Sequence, residues 1–389
     1  MKKYNFDELV DRQNTNSVKY DGRQYFFGND NVIPLWVADM DFRTPDFITR
    51  AVQERAKHEI YGYTFRADSY NEAIQHWLKN RHGWGIQKEW VHFSPGVVPA
   101  VALAVMSFTQ PGDSVIVQPP VYFPFFSAVK NADRVLVENP LIFGNGRYYM
   151  NFDDLEKKIQ ADTKILILCN PHNPGGMAWT EEELTRLGEI CMANNILVVS
   201  DEIHSDLVFK RHKHIPFASI SDEFAMNSIT CMAPSKTFNV AGLSTSFLVM
   251  PNKKIFDKYD NLMKGTHLYG GNIFGSIALE AAYSNGADWL DQLMDYVEEN
   301  YNFVENYLKK NIPQIVPMKP EATYLIWLDF SGLGIKDLDV NARLIKAGVG
   351  LNRGVQFGQQ GKGFMRMNVG CPRSIIADAL ERMKNEFAE

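Results

Sequence analysis

Residues 164–176 read KILILCNPHNPGG: a short apolar run that ends in a cysteine, two Asn-Pro pairs and two glycines. An apolar run of this length, closed by turn signals, marks a strand buried on both faces. The pattern recurs along the chain. Ser114–Val117 (SVIV), Arg134–Val137 (RVLV), Ile196–Val199 (ILVV), Ser228–Cys231 (SITC) and Ser246–Met250 (SFLVM) are runs of the same kind. Helical patterns lie between several of them, such as Glu181–Asn194 behind Thr180 as its N-cap. Strands alternating with helices predict parallel βαβ units, hence an α/β fold whose sheet is covered on both faces.

The character changes after about residue 285. Trp289–Lys310 reads as one long helix, Thr323–Phe330 as a strand, Val340–Ala347 as a helix, Phe364–Val369 as a strand and Ser374–Phe387 as a closing helix. The expected division is a large domain over 46–285, a smaller α+β domain over 286–389, and a segment 1–45 packing with the smaller one. At 389 residues the chain is long enough for two lobes. With 45% hydrophobic and 22% charged residues it has an ordinary globular composition. A net charge of −6 without any basic block argues against nucleic acid as a partner. The four cysteines are scattered and form no C-x-x-C pair, which argues against a zinc ribbon and suits a reducing cytoplasm. The opening MKKYNFDELVDRQ has no apolar core and does not read as a secretory signal. The longest apolar run, Val97–Phe108, falls short of the roughly 20 residues that a bilayer span needs. The expectation is a cytoplasmic protein that contacts neither membrane nor nucleic acid.

Ligands of open parallel sheets collect beyond the carboxyl ends of the strands. After KILIL the chain delivers Asn173, after ILVV it delivers Asp201 and His204, and after SITC it delivers Ser235 and Lys236. Lys236 stands in the nearly uncharged stretch CMAPSKTFNVAG (231–242). Apolar surroundings lower a lysine's pKa and make its amine a nucleophile, as capture of an aldehyde requires. The turn Ser94-Pro-Gly-Val-Val98 opens an apolar helix, and helix N-terminal amides hold phosphate. A carboxylate such as Asp201 can hold a pyridinium nitrogen. A lysine for the aldehyde and an acid for the ring nitrogen together point to pyridoxal 5′-phosphate (PLP). Taken singly, each residue has a plainer reading: Asp201 a helix cap, Asn173 a turn residue, Tyr122 and Tyr63 packing aromatics, His204 a satisfied core histidine, Arg366 half of a surface ion pair. Their order on successive strand ends is hard to assemble by chance. Elsewhere the plain reading is preferred. His212-Lys-His214 reads as a solvated loop rather than a metal site, Asp39 and Asp41 are too few for a cation, and GQQGKG (358–363) does not read G-x-G-x-x-G.

NPHNPGG, SDEIH and SKTFNVAGL, followed in order by GFMRMN (363–368), resemble the fold-type I PLP-dependent enzymes of the class I/II aminotransferase superfamily. DRQNTNSVKYD (11–21), VADMDF (37–42), YGYTFR (61–66), TYLIWLD (323–329) and NVGCPRS (368–374) narrow the resemblance to the MalY/PatB-type cystathionine β-lyases, or C–S lyases, over essentially the whole chain. The resemblance implies a large, mainly parallel seven-stranded sheet domain, a smaller α+β domain, and a homodimer with its active sites at the interface. It implies Lys236 as the Schiff-base lysine, Asp201 as partner of the pyridine nitrogen, and Asn173 and His204 near the 3-oxygen. Tyr122 would stack on the ring. Val97, Val98 and Ser235 would hold the phosphate, reached by Tyr63 of the neighbouring subunit. Arg366 would clamp the substrate carboxylate, with Tyr324 and Arg353 as candidates for the side-chain pocket. Many aminotransferases carry an arginine eight residues after the lysine. Here that position is Ser244, which fits the C–S lyase branch. The implied activity is α,β-elimination of L-cystathionine or L-cysteine to a thiol, pyruvate and ammonia, with no metal. An aminotransferase on the same scaffold is the first alternative, and a PLP-binding regulatory protein with little turnover the second.

Overall fold

The computed structural model describes residues 2–388. Its centre is the strand read first. Thr163–Cys169 (β4) is buried along its length except at Lys164, one residue longer at each end than the apolar run. Six neighbours complete a seven-stranded sheet: Val91–Ser94 (β1), Ser114–Val117 (β2), Val135–Glu138 (β3), Leu197–Asp201 (β5), Ser228–Met232 (β6) and Ser246–Val249 (β7). Their order is β1-β7-β6-β5-β4-β2-β3. All six expected strands are present, with ends within two residues. β1 lies outside that expectation, because Val91-His-Phe-Ser is short and polar at alternate positions, as suits a strand at the sheet edge. Strands β2 to β6 pair in parallel, and β7 runs antiparallel to both β6 and β1.

Side chains of a strand alternate between faces, and here both faces are dry. Ile165 and Ile167 pack with Val101 and Val105 of helix Val97–Phe108 (α1), while Leu166 and Leu168 pack with Leu184 and Leu187 of helix Glu181–Ala193 (α2). Each such side chain contributes about 1.5–3 kcal/mol when withdrawn from water. α2 begins where expected. Thr180 Oγ1 accepts from the Glu183 amide at 3.2 Å, and the Glu183 carboxylate accepts from the Thr180 amide at 2.9 Å, a full capping box.

A second sheet follows the long helix Ala287–Asn311 (α3), which buries Trp289, Leu293, Val297, Val304 and Leu308. Its strands Val316–Pro317 (β8), Leu325–Asp329 (β9), Asn352–Arg353 (β10) and Phe364–Asn368 (β11) lie in the order β8-β9-β11-β10, all antiparallel. Asp337–Lys346 (α4) and Arg373–Phe387 (α5) complete this part. Near the N-terminus, Ile33–Pro34 pairs in parallel with Val349–Gly350, and the Asn368 amide donates to Leu35 O. The segment that follows, 36–42, is thereby led from the second sheet across to the carboxyl ends of the first.

Candidate active site

Strand register sets the site. Cys169 of β4 pairs with Asp201 of β5, and Asp201 pairs with Cys231 of β6, so three parallel strands end level. The chain beyond each turns into the same space, a cavity of about 200 Å³ lined by Asn173, Asp201, His204, Ser235 and Lys236. Tyr122 closes one side, and Val97 and Val98, in the first turn of α1, close the end. The first amides of a helix have no intrahelical acceptor, so this end presents hydrogen-bond donors and a partial positive charge. Ser244 and Thr245 lie at the cavity as well. Ser244 adopts a left-handed conformation, φ 45°.

The charges are held under stress. Asp201 is buried and accepts one hydrogen bond, from the Ile203 amide at 3.1 Å. Burial pushes its carboxyl up to about 7, although that bond and the Lys236 charge pull the other way. Between the unfolded carboxyl value of about 3.9 and this raised value the folded state holds the extra proton, so this group costs stability as pH rises across that window. Asp201→Asn is therefore expected to raise the melting temperature of the ligand-free protein at pH 8, with the gain vanishing near pH 4. Calorimetry at the two pH values checks this.

Lys236 sits in the turn 234–237 after β6 and is half-buried. Withdrawal from water lowers its amine to about 8, against the attraction of Asp39 and Asp201, with Arg366 adding to the fall. Its Nζ donates to Ala38 O at 2.7 Å. The Tyr324 hydroxyl donates to the same oxygen at 3.0 Å. Arg366, in mid-β11, is buried above the ring of Phe357, and burial lowers its guanidinium to about 10. Its partners are all neutral: Asn173 Oδ1 at 3.0 Å, Trp36 O at 2.9 Å and Asn352 Oδ1 at 2.7 Å. Its Nε has no partner among the described residues. A buried cation without an acid beside it is costly, and a carboxylate ligand is what would complete it.

The model of the family described as "Aminotransferase class I and II" matches residues 30–383. The chain belongs to the class I and II aminotransferase family. Within it, the chain is 48% identical to cystathionine beta-lyase PatB of Bacillus subtilis, over 98% of this chain and 99% of PatB. Among solved structures it superposes with a TM-score of 0.97 on a PLP-bound protein from Clostridium difficile 630, provisionally called an aminotransferase. That protein is 47% identical, with 99% of this chain and 100% of the other covered. It also superposes with a TM-score of 0.92 on the PLP-bound C-S lyase from Staphylococcus hominis, 36% identical, covering 100% and 99% of the two chains.

In this class I and II aminotransferase-family chain, the structure brings together most of the residues singled out from sequence. Lys236, Asp201, Asn173, His204, Tyr122, Ser235, Val97 and Val98 share one cavity, and Arg366 reaches it through Asn173. Tyr324 touches it through Ala38. His204 is buried with its Nδ1 unpartnered, and burial lowers its imidazole to about 3, so it is neutral there. Tyr63 does not line the cavity and stands fully exposed on the surface. Arg353 is engaged elsewhere, with Asp337 at 2.7 Å. One plain reading fails. His214 is not in a solvated loop: it is buried and bonded to Glu202 at 2.8 Å, because Glu202 needs a partner inside the protein. No cluster of three metal-ligating side chains occurs among the described residues, and no helix among them is long and apolar enough to cross a membrane. Sequence reasoning misses Asn352 and the carbonyls of Trp36 and Ala38. A carbonyl has no residue-type signature, and Asn352 is identified only by its cross-strand pairing with Arg366.

Proposed function

We propose that this protein is a PLP-dependent carbon–sulfur lyase that splits L-cystathionine, or a related thioether or L-cysteine, into a thiol, pyruvate and ammonia. The observation that carries the reading is a pairing across one cavity. A lysine with a lowered pKa and a buried carboxylate line it together, and a buried guanidinium that has no acid partner meets it through Asn173.

The residues present fit PLP. Asp201 lacks a cation at hydrogen-bond distance, which a protonated ring nitrogen supplies. The unpartnered His204 Nδ1 and the Asn173 amide suit the ring oxygen, and Tyr122 offers an aromatic face. The first turn of α1, with Ser235 and Ser244, suits the phosphate without an arginine. When bound, PLP supplies a sink for the electrons released at the substrate's α-carbon.

The chain does the rest. Arg366 would hold the α-carboxylate by a charge-assisted contact and so fix the orientation of the bonds at Cα. The neutral amine of Lys236 takes the Cα proton, and an amine lowered to about 8 is neutral often enough near pH 7.5 to do so. Asp201 would be kept ionised by a protonated ring nitrogen and would hold that proton in place. Loss of the Cα proton and of the β-thiolate leaves an enamine that water hydrolyses to pyruvate and ammonia, with no net oxidation.

The likeness to PatB and the serine at 244 favour elimination over amino-group transfer. The PLP-bound protein of C. difficile keeps transamination as the second reading. Incubation with L-cystathionine without a keto acid separates the two: free thiol appears catalytically in the first case, and only after adding a keto acid in the second.

The active unit is a homodimer. Tyr61, Tyr63 and Phe65 stand exposed on one segment, an apolar cost that a second copy would relieve, and Tyr63 would then reach the partner's phosphate. Tyr63→Ala and Lys236→Ala, each impaired alone, are expected to regain activity when their subunits are mixed, because one site per mixed dimer is intact. Additive, unrestored activity contradicts a shared site. Residues 46–285 form the cofactor domain and 286–389 the smaller one, with 1–45 packing on the latter, as the pairing of Ile33–Pro34 with Val349–Gly350 supports. Four free buried thiols suit a cytoplasmic location.

A further inference from the structure

Four ionisable side chains that the mechanism does not use are gathered beside the cavity. Lys19 is fully buried, and its Nζ donates to Asp41 Oδ2 at 2.8 Å and to Asp39 O at 3.2 Å. Arg12 bridges both acids. Its Nη1 donates to Asp41 Oδ1 at 2.7 Å and to Asp39 Oδ1 at 3.0 Å, and its Nη2 donates to Asp39 Oδ2 at 2.8 Å. Two cations and two anions thus close on one another within the chain. Such a group contributes little net stability for its desolvation, so its presence calls for another reason.

That reason lies between the acids. Asp39 and Asp41 flank Met40 in the segment 36–42, whose backbone oxygens face the two cations of the site. Trp36 O accepts from Arg366 and Ala38 O accepts from Lys236. The far side of the segment is pinned as well. Asn368 Nδ2 donates to Val37 O and Asp39 O, each at 2.6 Å. Asn239 accepts from the Met40 amide at 3.0 Å and donates to Met40 O at 2.9 Å.

We propose that Arg12, Lys19, Asp39 and Asp41 are positioning residues: they lock segment 36–42 as a strap whose carbonyls at Trp36 and Ala38 hold Arg366 and Lys236 in place. Arg12 is the keystone, because its guanidinium fork hydrogen-bonds both carboxylates, whereas Lys19 hydrogen-bonds the Asp41 carboxylate and stands 3.7 Å from that of Asp39. The strap gives the amine of Lys236 a fixed acceptor inside the chain when it is not otherwise bonded, and it fixes the guanidinium plane that meets the substrate. The inference rests on the assignment of Lys236 and Arg366 to the site, and not on which reaction they serve.

The test uses three variants of the full chain. Lys19→Met/Asp41→Ala removes one buried charge of each sign and leaves Arg12 paired with Asp39. Arg12→Ala is made at a side chain about a fifth exposed, 21%, and carries the test should the double variant not fold. Arg12→Lys keeps the charge without the fork. The first readout is trace acetylation of the ligand-free protein, with Lys236 quantified by peptide mass spectrometry. A charge-assisted hydrogen bond restrains such an amine enough that its loss raises labelling about tenfold, with the exposed lysines unchanged. The second is the split of kinetic constants in the holoenzyme. Misplacement by about an ångström lowers kcat/KM up to roughly a hundredfold, through a higher KM from Arg366 and a lower kcat from Lys236. Arg12→Lys is expected to fall between wild type and Arg12→Ala on both. Variants that merely melt earlier, with wild-type labelling and kinetics well below the melting point, overturn the proposal. Raised labelling in a protein without lyase activity keeps the strap and overturns the function, and the reverse result does the opposite.

Discussion

Lys236→Ala is expected to lower turnover of L-cystathionine by at least about a thousandfold, because in the proposed reaction this one amine serves as both the carbonyl-trapping group and the general base. Among the described residues, the amine is the single nitrogen nucleophile lining the cavity with a pKa brought near physiological pH. No neighbour replaces it. His204 is buried and turned to its neutral form, and its ring packs edge-on near Tyr324 at 6.3 Å. Borohydride reduction of the holoenzyme should fix the cofactor covalently on the peptide containing Lys236, and the variant should show no adduct. A variant that keeps both turnover and a covalent adduct would contradict the assignment. Because Lys236 is half-buried and makes one hydrogen bond, to Ala38 O, the fold should survive its loss, and the far-ultraviolet circular dichroism should match wild type.

Arg366→Met is expected to be the next most damaging change. The side chain fills a comparable space beside Phe357 but offers the carboxylate nothing. Loss of a charge-assisted, bidentate contact is worth a few kcal/mol, so kcat/KM should fall roughly a hundredfold or more. The signature is selectivity. Wild type should discriminate strongly against a thioether amine lacking the α-carboxylate, and the variant should discriminate little. Arg366→Lys should not restore activity, since an ammonium has three N–H groups, which Asn173, Asn352 and Trp36 O would use, with none left for the carboxylate. Stability should suffer less than activity, because the variant also removes a buried, uncompensated charge.

Lys236 is legible in the amino-acid sequence for a physical reason that does not extend to everything around it, whereas Arg366, inside β11, is marked only by the resemblance that GFMRMN carries. A strand buried on both faces must be continuously apolar, so β4, β5 and β6 stand out, and whatever polar residue follows each is marked as site material. Asn173, Asp201 and Lys236 are found this way. β1 escapes because its alternate residues His92 and Ser94 are polar although buried, their side chains bonded to Asp260 and to Gly96 O. The partners of the two cations escape for a different reason. Trp36 and Ala38 act through backbone oxygens, which any residue provides, and Asn352 acts through a cross-strand register that sequence does not print. His214 misleads because a histidine in the polar run KRHKH looks solvated, whereas its burial is dictated by its bond to the buried Glu202. Asp39 and Asp41 look like too weak a cluster to hold a cation. They already have their cations, supplied by Arg12 and Lys19 from distant positions in the sequence.

The central claim is that the substrate's nitrogen leaves as ammonia rather than being kept for transfer. Its direct measurement is the fate of the label in L-cystathionine enriched with ¹⁵N at the amino group of its cysteine half, incubated with catalytic holoenzyme and no keto acid. The expected result is ¹⁵N-ammonium accumulating over many turnovers in step with pyruvate and free thiol. Label that stays with the protein after one turnover, and moves to an amino acid only when a keto acid is added, would contradict it.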